Sequence, residues 1–540
     1  MQSVPFLTLG EAILRSAAAS PDKVAIRLDE DRRTYRTIAD NAQRRARQLA
    51  GLGLKRGDRF GIMLPNSFDA IEFILAASIG GFVAVPINIR FKGFEVHHLI
   101  SHSGMRVLVT IGGIADVVDF GAVVATALPG LATAPDPYHL APAEAPMLRS
   151  IVRLTGVDHG PSSIFLNCDD LPEARLDTSE TNTPGSALLL LYTSGTTARP
   201  KGCIISERAL RANITGITER LGLASGDRWW CPLPMFHVGG ILFPMMMLSI
   251  GGCYLTTVHF DAERSVDLIA QERPSIIYSL FPTITLQLMD SPRFPSLPLD
   301  QVRLVVNVAP HDLQKRIQNA FRPAKLLSAF GMTEAGGVVT YNLPSDTEAQ
   351  RTTSCGLPLS GWDVAIANSE THALLDQGSE GEIAIRGDGL FDGYLGDPEA
   401  TAQQFTADGY FLTGDAGLIG SDGALHFLGR LKDQLKVGGE NVSALEVESF
   451  LCSHPAIKMT QVVGVTDDRY GEVPAAFIEL HEGKVLREED VLSFCAGQIA
   501  RFKTPRFVRF VSEWPMSATK IQKFRLKAAI EQELQAQSAS

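Results

Sequence analysis

The sequence predicts an α/β fold whose larger part consists of two similar doubly wound halves. Two segments, 74–87 and 245–258, each combine an apolar helix pattern, the tetrapeptide Ser-Ile-Gly-Gly and a β-branched strand pattern. A glycine pair ends a helix in left-handed geometry, and a short apolar strand follows, so each segment is half of a βαβ unit. Other apolar runs of the parallel-sheet type alternate with helical patterns; they span residues 59–65, 106–111, 187–193, 275–281 and 302–308.

After residue 350 the sequence changes to short strand patterns separated by glycine and aspartate, as in a small antiparallel β-barrel or meander. Beyond Arg430, helix and strand patterns alternate over about 110 residues, which is enough for a small α+β domain. Ser443 and Glu446 form a candidate capping box, which predicts that a helix begins just after the segment KVGGEN at residues 436–441. The sequence therefore predicts two smaller units after the doubly wound part.

The composition is that of a globular enzyme with an acidic balance. The 540 residues are 45% hydrophobic and 20% charged, with a formal net charge of -11 at pH 7. Because the chain has no basic stripe for a phosphate backbone, nucleic acid is not expected as a partner. The first thirty residues mix acidic and basic side chains with short apolar stretches, so no secretory or transit signal is expected and the cytoplasm is the default location.

Cysteine usage and hydropathy add two expectations. The seven cysteines form no CxxC pair, which is typical of a reducing compartment and predicts neither a metal cage nor a disulfide framework; they are Cys168, Cys203, Cys231, Cys253, Cys355, Cys452 and Cys495. Two uncharged runs, 73–89 and 238–258, approach the ~20 residues of a membrane span. Each contains a Gly-Gly pair and a proline, so no membrane span is expected.

The most informative stretch is LYTSGTTARPKG at residues 191–202, which follows the apolar run 187–191. Hydroxyls, glycine backbone N–H groups and a lysine are what a polyphosphate needs, because together they offset its charge with many short hydrogen bonds. A Walker loop does not fit, since Lys201 follows Gly195 by six positions and Pro200 stands where that motif needs glycine. A polar surface turn remains the alternative from composition alone.

The loop at residues 193–202 resembles the signature Thr-Ser-Gly-Thr-Thr-Gly-x-Pro-Lys-Gly of the adenylate-forming acyl-CoA synthetases, which include the fatty-acid–CoA ligases. This family shares its fold with luciferases and with the adenylation domains of peptide synthetases. Ala198 stands where the family usually has glycine, and further motifs follow in family order. The resemblance implies that the phosphates of ATP contact Thr193, Ser194, Gly195, Thr196, Thr197 and Lys201.

Motifs in the middle of the chain resemble the family's acid and adenine sites. Segment 232–240 resembles the one whose histidine, here His237, gates the carboxylate pocket, although a lone histidine beside an aromatic ring is more often a core residue. The resemblance implies that Glu334, together with Thr193, holds Mg²⁺ against the phosphates, since a hard dication prefers oxygen ligands. The implied adenine wall lies in segments 307–310 and 328–337 and comprises Ala309, Pro310, Ala329, Phe330, Gly331, Met332 and Thr333.

Segments 408–415 and 427–440 resemble the family's ribose clamp. The resemblance implies that Asp415 accepts hydrogen bonds from both ribose hydroxyls, as a carboxylate can, and that Arg430 supports it. Isolated aspartates and arginines are otherwise ordinary surface charges, so these roles depend on the motif context.

Segment 515–527 resembles the closing segment that carries the catalytic lysine, here Lys520, with Thr519 where the family has glycine. A lysine near the end of a chain is otherwise an ordinary solubilising charge. The resemblance implies that Lys520 and Mg²⁺ at Glu334 neutralise the carboxylate and the α-phosphate, so that acyl-adenylate and pyrophosphate form.

The family's hinge falls two residues after the ribose arginine, which places it at Lys432. The implied domains are an N-terminal AMP-binding domain, 1–431, and a mobile C-terminal domain, 432–540, which swings so that a thiol can attack the adenylate. Lys436 and Gly439 then lie on the face that forms the thioester, where the pantetheine of coenzyme A passes close to the backbone.

The implied activity is that of an ATP-dependent acid–coenzyme A ligase for a medium- or long-chain, aryl or alicyclic acid. Acetate-specific relatives place a tryptophan near the position of Gly331, and amino-acid-activating relatives place an aspartate near that of His237; this chain has neither. Walls for the acyl group are expected from Met235, residues 245–247 and residues 278–286. A methionine stripe at this spacing is, however, more often ordinary core.

Two other functions remain open from the sequence. One is an adenylating enzyme that loads a carrier-protein pantetheine, and the other is a nucleotide-binding regulator with a decayed site, which Ala198 and Thr519 would favour. The expected partner is a small carboxylic acid, and the sequence also permits a homodimer.

Overall fold

The computed structural model describes residues 8–114, 118–133, 136–154, 165–176, 182–193, 200–437, 440–467, 470–496, 498–517 and 520–538. The first part of this chain contains, in order, α1 (Leu9–Ala19), β1 (Val24–Leu28), β2 (Asp31–Thr34), α2 (Tyr35–Gly51), β3 (Arg59–Met63), α3 (Phe68–Gly80), β4 (Val83–Pro86), α4 (Gly93–Ser103), β5 (Val107–Ile111), β6 (Gly113–Ile114), β7 (Val118–Asp119), α5 (Phe120–Ala127), β8 (Ser150–Leu154), β9 (Phe165–Asn167) and β10 (Ala187–Thr193).

The middle of the chain continues the alternation of strands and helices. It contains β11 (Lys201–Ser206), α6 (Glu207–Leu221), β12 (Arg228–Trp230), α7 (Val238–Ser249), β13 (Cys253–Thr256), α8 (Ala262–Glu272), β14 (Ile276–Leu280), α9 (Pro282–Asp290), β15 (Leu304–Asn307), α10 (His311–Ala320) and β16 (Lys325–Leu327).

Short strands then dominate, and a mixed region ends the chain. The short strands and their helices are β17 (Ala329–Met332), β18 (Gly337–Tyr341), α11 (Glu348–Thr353), β19 (Leu357–Pro358), β20 (Trp362–Ala367), β21 (Gly381–Gly387), β22 (Gly393–Tyr394), α12 (Pro398–Ala402), β23 (Phe411–Ile419) and β24 (Leu425–Arg430). The final region has β25 (Gln434–Val437), β26 (Glu440–Ser443), α13 (Ala444–Cys452), β27 (Ile457–Asp467), β28 (Gly471–Leu480), α14 (Glu488–Cys495), β29 (Phe507–Phe510), β30 (Met516–Ser517), β31 (Lys520–Ile521) and α15 (Lys523–Ser538).

Two large sheets form the centre of the N-terminal part. Within the described residues, one has the strand order β22-β11-β10-β4-β3-β5-β8-β9 and the other has the order β16-β15-β14-β12-β13-β1-β2. The inner pairs are parallel, such as β3 with β4 and β14 with β15, whereas β10 pairs antiparallel with β11. Parallel strands joined by helices are the doubly wound α/β pattern that the sequence predicted.

The repeated Ser-Ile-Gly-Gly phrase marks the same corner in both halves. Helix α3 ends at Gly80, and Gly81 (φ 72°) turns the chain into β4. Helix α7 ends at Ser249, and Gly251 (φ 76°) turns the chain into β13. Only glycine adopts this left-handed geometry without a steric cost, so two similar helix–strand corners follow from two similar phrases.

The apolar runs around these corners are core helices. Residues 70–78 of α3 and 240–248 of α7 are buried on every side, as expected for a helix that is apolar on every side. Met245, Met246 and Met247 are fully buried in the main core, so the interpretation of this stripe as ordinary core is the correct one. Among the described residues, no helix is both long and apolar enough to cross a membrane.

The later part of the chain contains smaller sheets. The region after β16 has two antiparallel sheets, β17-β18-β19 and β20-β21-β23-β24. The C-terminal region has a sheet of order β26-β25-β28-β27, with β29 beside β28, and a core of its own. Helix α13 begins at Ala444, where the sequence predicted it, because the hydroxyl of Ser443 accepts a hydrogen bond from the N–H of Glu446. The carboxylate of Glu446 accepts from Lys503 (2.6 Å).

The seven cysteines all lie in the described residues, and each is a buried free thiol. Burial raises the pKa of Cys231 to about 12 and that of Cys355 to about 11, so these thiols stay protonated near neutral pH. Buried, protonated cysteines act as small apolar side chains rather than as nucleophiles.

Candidate active site

The phosphate loop joins the carboxyl end of β10 to the start of β11. The two strands form an antiparallel hairpin in which Thr193 lies opposite Lys201. Residues 194–199 lie outside the described part of the chain, so the predicted contacts of Ser194, Gly195, Thr196 and Thr197 remain predictions. The described ends place one hydroxyl and one cation side by side at the carboxyl edge of the sheet, where ligands bind in doubly wound folds.

Lys201 and Glu334 meet at a tyrosine that the sequence analysis did not single out. The Nζ of Lys201 lies 4.8 Å from the ring centroid of Tyr394, and the hydroxyl of Tyr394 donates to Oε1 of Glu334 (3.1 Å). Tyr394 is in β22, which pairs with β11. Thr193 lies near the same residues, and Cys203 is the neighbour that they share. The hydroxyl of Thr193 lies 4.0 Å from Sγ of Cys203, and the pKa of Cys203 is raised by burial and then by Glu334.

Asp415 and Arg430 lie opposite one another on β23 and β24, and Nε of Arg430 is 2.9 Å from Oδ1 of Asp415. The aspartate is only 2% exposed. Burial raises its pKa to about 6, against the opposing effects of the Arg430 and Lys520 cations, while Glu334 and Glu382 raise it further. Oδ1 is paired with Arg430 but accepts no hydrogen bond of good geometry among the described groups, so the carboxylate keeps acceptor capacity for hydroxyl donors.

The predicted adenine wall lies on adjoining elements. Ala309 and Pro310 follow β15, and Pro310 is the N-cap of α10. Ala329, Phe330, Gly331 and Met332 form β17, and Thr333 and Glu334 follow in the turn to β18. The buried ring of Phe330 packs against Phe427 at 6.0 Å, so it offers an apolar surface.

The sequence suggested that the small residue at Gly331 leaves room for an acyl group, but the structure gives another reason for a glycine there. A Cβ at this position would lie 2.1 Å from the carbonyl oxygen of Gly337 on the paired strand β18. Backbone cannot move aside easily, so glycine is required by the close approach of two strands. The lack of bulk at Gly331 therefore does not by itself create room for an acyl group.

His237 is the N-cap residue of α7, beside the ring of Phe236 at 4.7 Å. Its pKa is lowered to about 4, chiefly by burial and then by the charges of Lys520 and Arg90. By its accessible surface His237 is nevertheless an exposed residue, so a ligand can reach the side chain although neighbouring protein groups lower its pKa. A neutral imidazole at this place can share a hydrogen bond with a substrate carboxylate without adding charge.

Lys520 lies on the short hairpin β30–β31 and reaches the N-terminal part of the molecule. Its Nζ is 5.7 Å from the ring centroid of Phe281, and its charge lowers the pKa of both His237 and Asp415. Ile521 beside it packs against both the main core and a C-terminal cluster. A lysine some ninety residues after Arg430 in the sequence therefore faces the residues predicted for the acid and ribose sites.

Several site predictions are not placed by the structure. Gly439 lies outside the described residues, and only the backbone positions of Lys432 and Lys436 are described. Met235 is buried at 3% exposure and belongs to the main core. Sequence reasoning missed Tyr394 and Arg90, because their roles depend on long-range neighbours, whereas Phe281 lies in the segment 278–286 that was expected to form a wall of the acyl site.

Comparison with known protein families gives two matches along the chain. A sequence model of the AMP-binding enzyme family matches residues 13–395, and one of the AMP-binding enzyme C-terminal domain matches residues 446–520. The first match covers more than half of the chain, and together the matches include the phosphate loop, Glu334, Tyr394 and Lys520.

Individual relatives span nearly the whole chain. A 3-[(3aS,4S,7aS)-7a-methyl-1,5-dioxo-octahydro-1H-inden-4-yl]propanoyl:CoA ligase of Mycobacterium tuberculosis is 31% identical, over 96% of this chain and 98% of the relative. The mitochondrial medium-chain acyl-CoA ligase ACSF2 of Bos taurus is 29% identical, over 98% and 88%. The crystal structure of the anthranilate CoA ligase AuaEII with anthranoyl-AMP has a TM-score of 0.84 at 25% identity and covers 97% of this chain and 98% of its own.

Proposed function

The chain belongs to the family of AMP-binding enzymes, and on that premise we propose that it is an ATP-dependent acid–coenzyme A ligase. It adenylates a carboxylic acid, releasing pyrophosphate, and then transfers the acyl group to the thiol of coenzyme A, releasing AMP. The observation that carries this proposal is the position of Lys520, whose Nζ lies 5.7 Å from the ring centroid of Phe281 and near enough to His237 and Asp415 for its charge to act on both, because it brings a cation to the acid and nucleotide sites.

The first half-reaction requires two anions to meet, the substrate carboxylate and the α-phosphate. The ammonium group of Lys520 stabilises the charge that builds up between them, and the protein holds it there before the reaction begins. His237 stays neutral at physiological pH, since its pKa is about 4, and can hydrogen-bond one carboxylate oxygen. Asp415 accepts the ribose hydroxyls and orients the nucleotide, with Arg430 beside it.

The phosphates of ATP bind at the hairpin of β10 and β11. Thr193 and Lys201 flank the loop, and the Nζ of Lys201 lies over the ring of Tyr394. Such a group of hydroxyl, backbone N–H and ammonium donors suits the charge of the pyrophosphate that leaves.

Mg²⁺ fits this site as a partner of ATP. Glu334 is 9% exposed, and both its carboxylate and the hydroxyl of Thr193 lie beside the thiol of Cys203, so the site offers two hard oxygen donors. One carboxylate with phosphate oxygens is a usual magnesium environment. When bound, the ion would neutralise phosphate charge; Tyr394 holds the carboxylate of Glu334 in place through its hydroxyl.

The second half-reaction requires Lys520 to leave so that a thiol can reach the adenylate. We place the hinge at Lys432, between an N-terminal domain of residues 1–431 and a C-terminal domain of residues 432–540. Lys436 and Gly439 would then approach the site from the opposite face of the C-terminal domain, where pantetheine passes close to glycine backbone.

The acid is larger than acetate and is not an amino acid. Relatives named for medium-chain, alicyclic and aryl acids support this substrate class. Ser279 and Leu280 end β14, and Phe281 follows them beside Lys520, so the wall of the acyl site that we propose is this strand end rather than the methionine stripe of α7.

A panel of fatty, aryl, alicyclic, acetate and amino acids, scored by AMP release with ATP and coenzyme A, tests the proposal. We expect acid-dependent AMP release that requires coenzyme A for turnover. Acyl transfer to a phosphopantetheinylated carrier protein but not to coenzyme A would identify the carrier-loading alternative instead. ATP binding without pyrophosphate exchange on any acid would identify the regulator.

We further propose that the enzyme acts in the cytoplasm, in keeping with seven buried free thiols. Light scattering of the purified protein distinguishes a monomer from the homodimer that the sequence permits.

A further inference from the structure

One helix contacts both ends of the phosphate loop. The Nε2 of His98 in α4 lies 3.2 Å from the carbonyl oxygen of Pro200, which immediately precedes Lys201. The Nδ1 of His102 lies 2.8 Å from the hydroxyl of Tyr192, which immediately precedes Thr193. A carbonyl oxygen only accepts, so the Nε2 of His98 carries the proton and donates it.

The two histidines act from the same face of the helix. They are four residues apart, their ring centroids are 5.2 Å apart, and the ring of Tyr192 meets both nearly edge-on at 6.3 and 5.7 Å. Burial, then His98 and Arg59, lowers the pKa of His102, and burial raises that of Tyr192. The tyrosine hydroxyl therefore keeps its proton and can donate to a neutral His102.

Helix α4 is anchored independently of the loop. Val96, Leu99 and Ile100 on its other face are buried in the core that α4 shares with α5. The Nδ1 of His97 lies 3.0 Å from the carbonyl oxygen of Ala127 at the end of α5. The imidazoles of His98 and His102 are therefore presented from a fixed element, as a group that positions a functional segment should be.

We propose that His98 and His102 are positioning residues of the adenylation site, which hold the two ends of the phosphate loop and thereby set Thr193 and Lys201 against the phosphates of ATP. The proposal rests on the proposed function and extends it to a helix that contacts neither acid nor nucleotide. Because the thioester step involves no pyrophosphate at the loop, the two histidines serve only the first half-reaction.

The test compares His98→Leu, which removes the donor, with His98→Gln, whose amide can still donate to Pro200. The matched control is His97→Leu, which removes the same kind of imidazole–carbonyl contact from the same helix but away from the loop. The measurements are the KM for ATP and kcat in acid-dependent pyrophosphate exchange, the rate of thioester formation from supplied acyl-adenylate, and the Kd of ATP by calorimetry.

For His98→Leu we expect the KM and Kd for ATP to rise about 5- to 10-fold, as for the loss of one hydrogen bond. Thioester formation should stay at the parent rate, His98→Gln should recover most of the affinity, and His97→Leu should change only the melting temperature. Tyr192→Phe should weaken ATP binding by a few-fold through the other end of the loop.

Equal ATP affinity in the parent protein and in His98→Leu would overturn the proposal, as would equal losses in His98→Leu and His97→Leu. The calorimetric Kd decides this without turnover. A parent protein that binds ATP but exchanges pyrophosphate with no acid would instead contradict the proposed function, so the two failures are distinguishable.

Discussion

The nucleotide side and the lysine side of the candidate site are built in opposite ways. Asp415 and Arg430 are directly opposed on paired strands, and the aspartate is almost completely buried. Lys520 is exposed on a two-stranded hairpin of the C-terminal region. The difference teaches that the candidate nucleotide site is part of the folded core, whereas the lysine reaches it from a separate C-terminal region, as the proposed domain movement requires.

The contacts that hold the C-terminal region in place support this contrast. Lys458 bridges Asp290 of α9 (2.7 Å) and Glu479 of its own sheet (3.1 Å), and Arg316 of α10 donates to Nε2 of His481 (2.8 Å). Partly exposed ion pairs of this kind contribute roughly 0–1 kcal/mol each. Contacts of this strength are compatible with the domain movement that we propose, because they can be broken at a small cost in free energy.

The largest expected effect is that of Lys520→Ala, which removes the cation on the lysine side of the site. We expect acid-dependent pyrophosphate exchange to fall by about 100- to 1,000-fold, because a preorganised charge at the reacting centre is lost. Thioester formation from supplied acyl-adenylate should be largely retained. Lys527→Ala, which removes the partner of Glu472 on the same segment, is the control and should leave both half-reactions unchanged. Equal loss in both half-reactions would refute the division of labour.

The nucleotide side of the site is tested by Asp415→Asn. Removing the charge that accepts two hydroxyls should raise the KM for ATP by about 10- to 100-fold, since hydrogen bonds to charged groups are the strong ones. Asp363→Asn is a matched control, because Asp363 and Arg386 form a similar cross-strand pair on the neighbouring strands but are exposed. If both variants behave alike, Asp415 has no special role in nucleotide binding.

The pH dependence of ATP binding is a second test of the nucleotide side of the site. The folded-state pKa of Asp415 is about 6, above its ordinary value of 3.8, so the carboxylate becomes protonated as the pH falls below about 6. We expect the KM for ATP to rise about 10-fold between pH 7 and pH 5, as the charged acceptor is lost. His237, with a pKa of about 4, does not titrate in this range.

Lower pH weakens ATP binding through Asp415, but it has the opposite effect on the contribution of Asp415 to folding stability. A raised folded-state pKa means that the folded protein binds this proton at a higher pH than the unfolded chain does. The contribution of Asp415 to the free energy of unfolding is therefore largest below pH 3.8 and declines as the pH rises through about 6.

The predicted rise in the KM for ATP at low pH is checked by KM measurements from pH 5 to 8 on the parent and on Asp415→Asn. A rise of equal size in the variant would assign the pH dependence to another group.

The smallest expected effect is that of Lys458→Ala at the contact between the two regions. Losing one partly exposed bridge should lower pyrophosphate exchange by about 2- to 5-fold while leaving thioester formation unchanged, because only the arrangement with Lys520 in the site uses the contact. Lys503→Ala removes a comparable pair with Glu446 inside the C-terminal region and serves as control. A matching fall in thioester formation would show that the bridge has no preference for one arrangement.

Much of the fold was predictable because its signals are local. The glycine pairs at 80–81 and 251–252 end helices by their own backbone freedom, and Ser443 caps α13 through a contact three residues away. Lys201, Glu334, Asp415, Arg430 and Lys520 could be singled out because each lies in a short motif of fixed order. Their assembly into one site could not be derived from spacing alone.

The sequence by itself determined the order of strands and helices, the buried helices and the short polar motifs, since each depends on neighbours a few residues apart. Only the tertiary structure decided that Tyr394 links Lys201 to Glu334, that Gly331 is small because β18 passes beside it, and that Lys520 lies next to Phe281. The contacts of Tyr394 and Lys520 join residues tens to hundreds of positions apart, and the close approach of Gly337 to Gly331 depends on how β17 pairs with β18. Pairing and packing of whole elements bring them together, and no local pattern encodes that geometry.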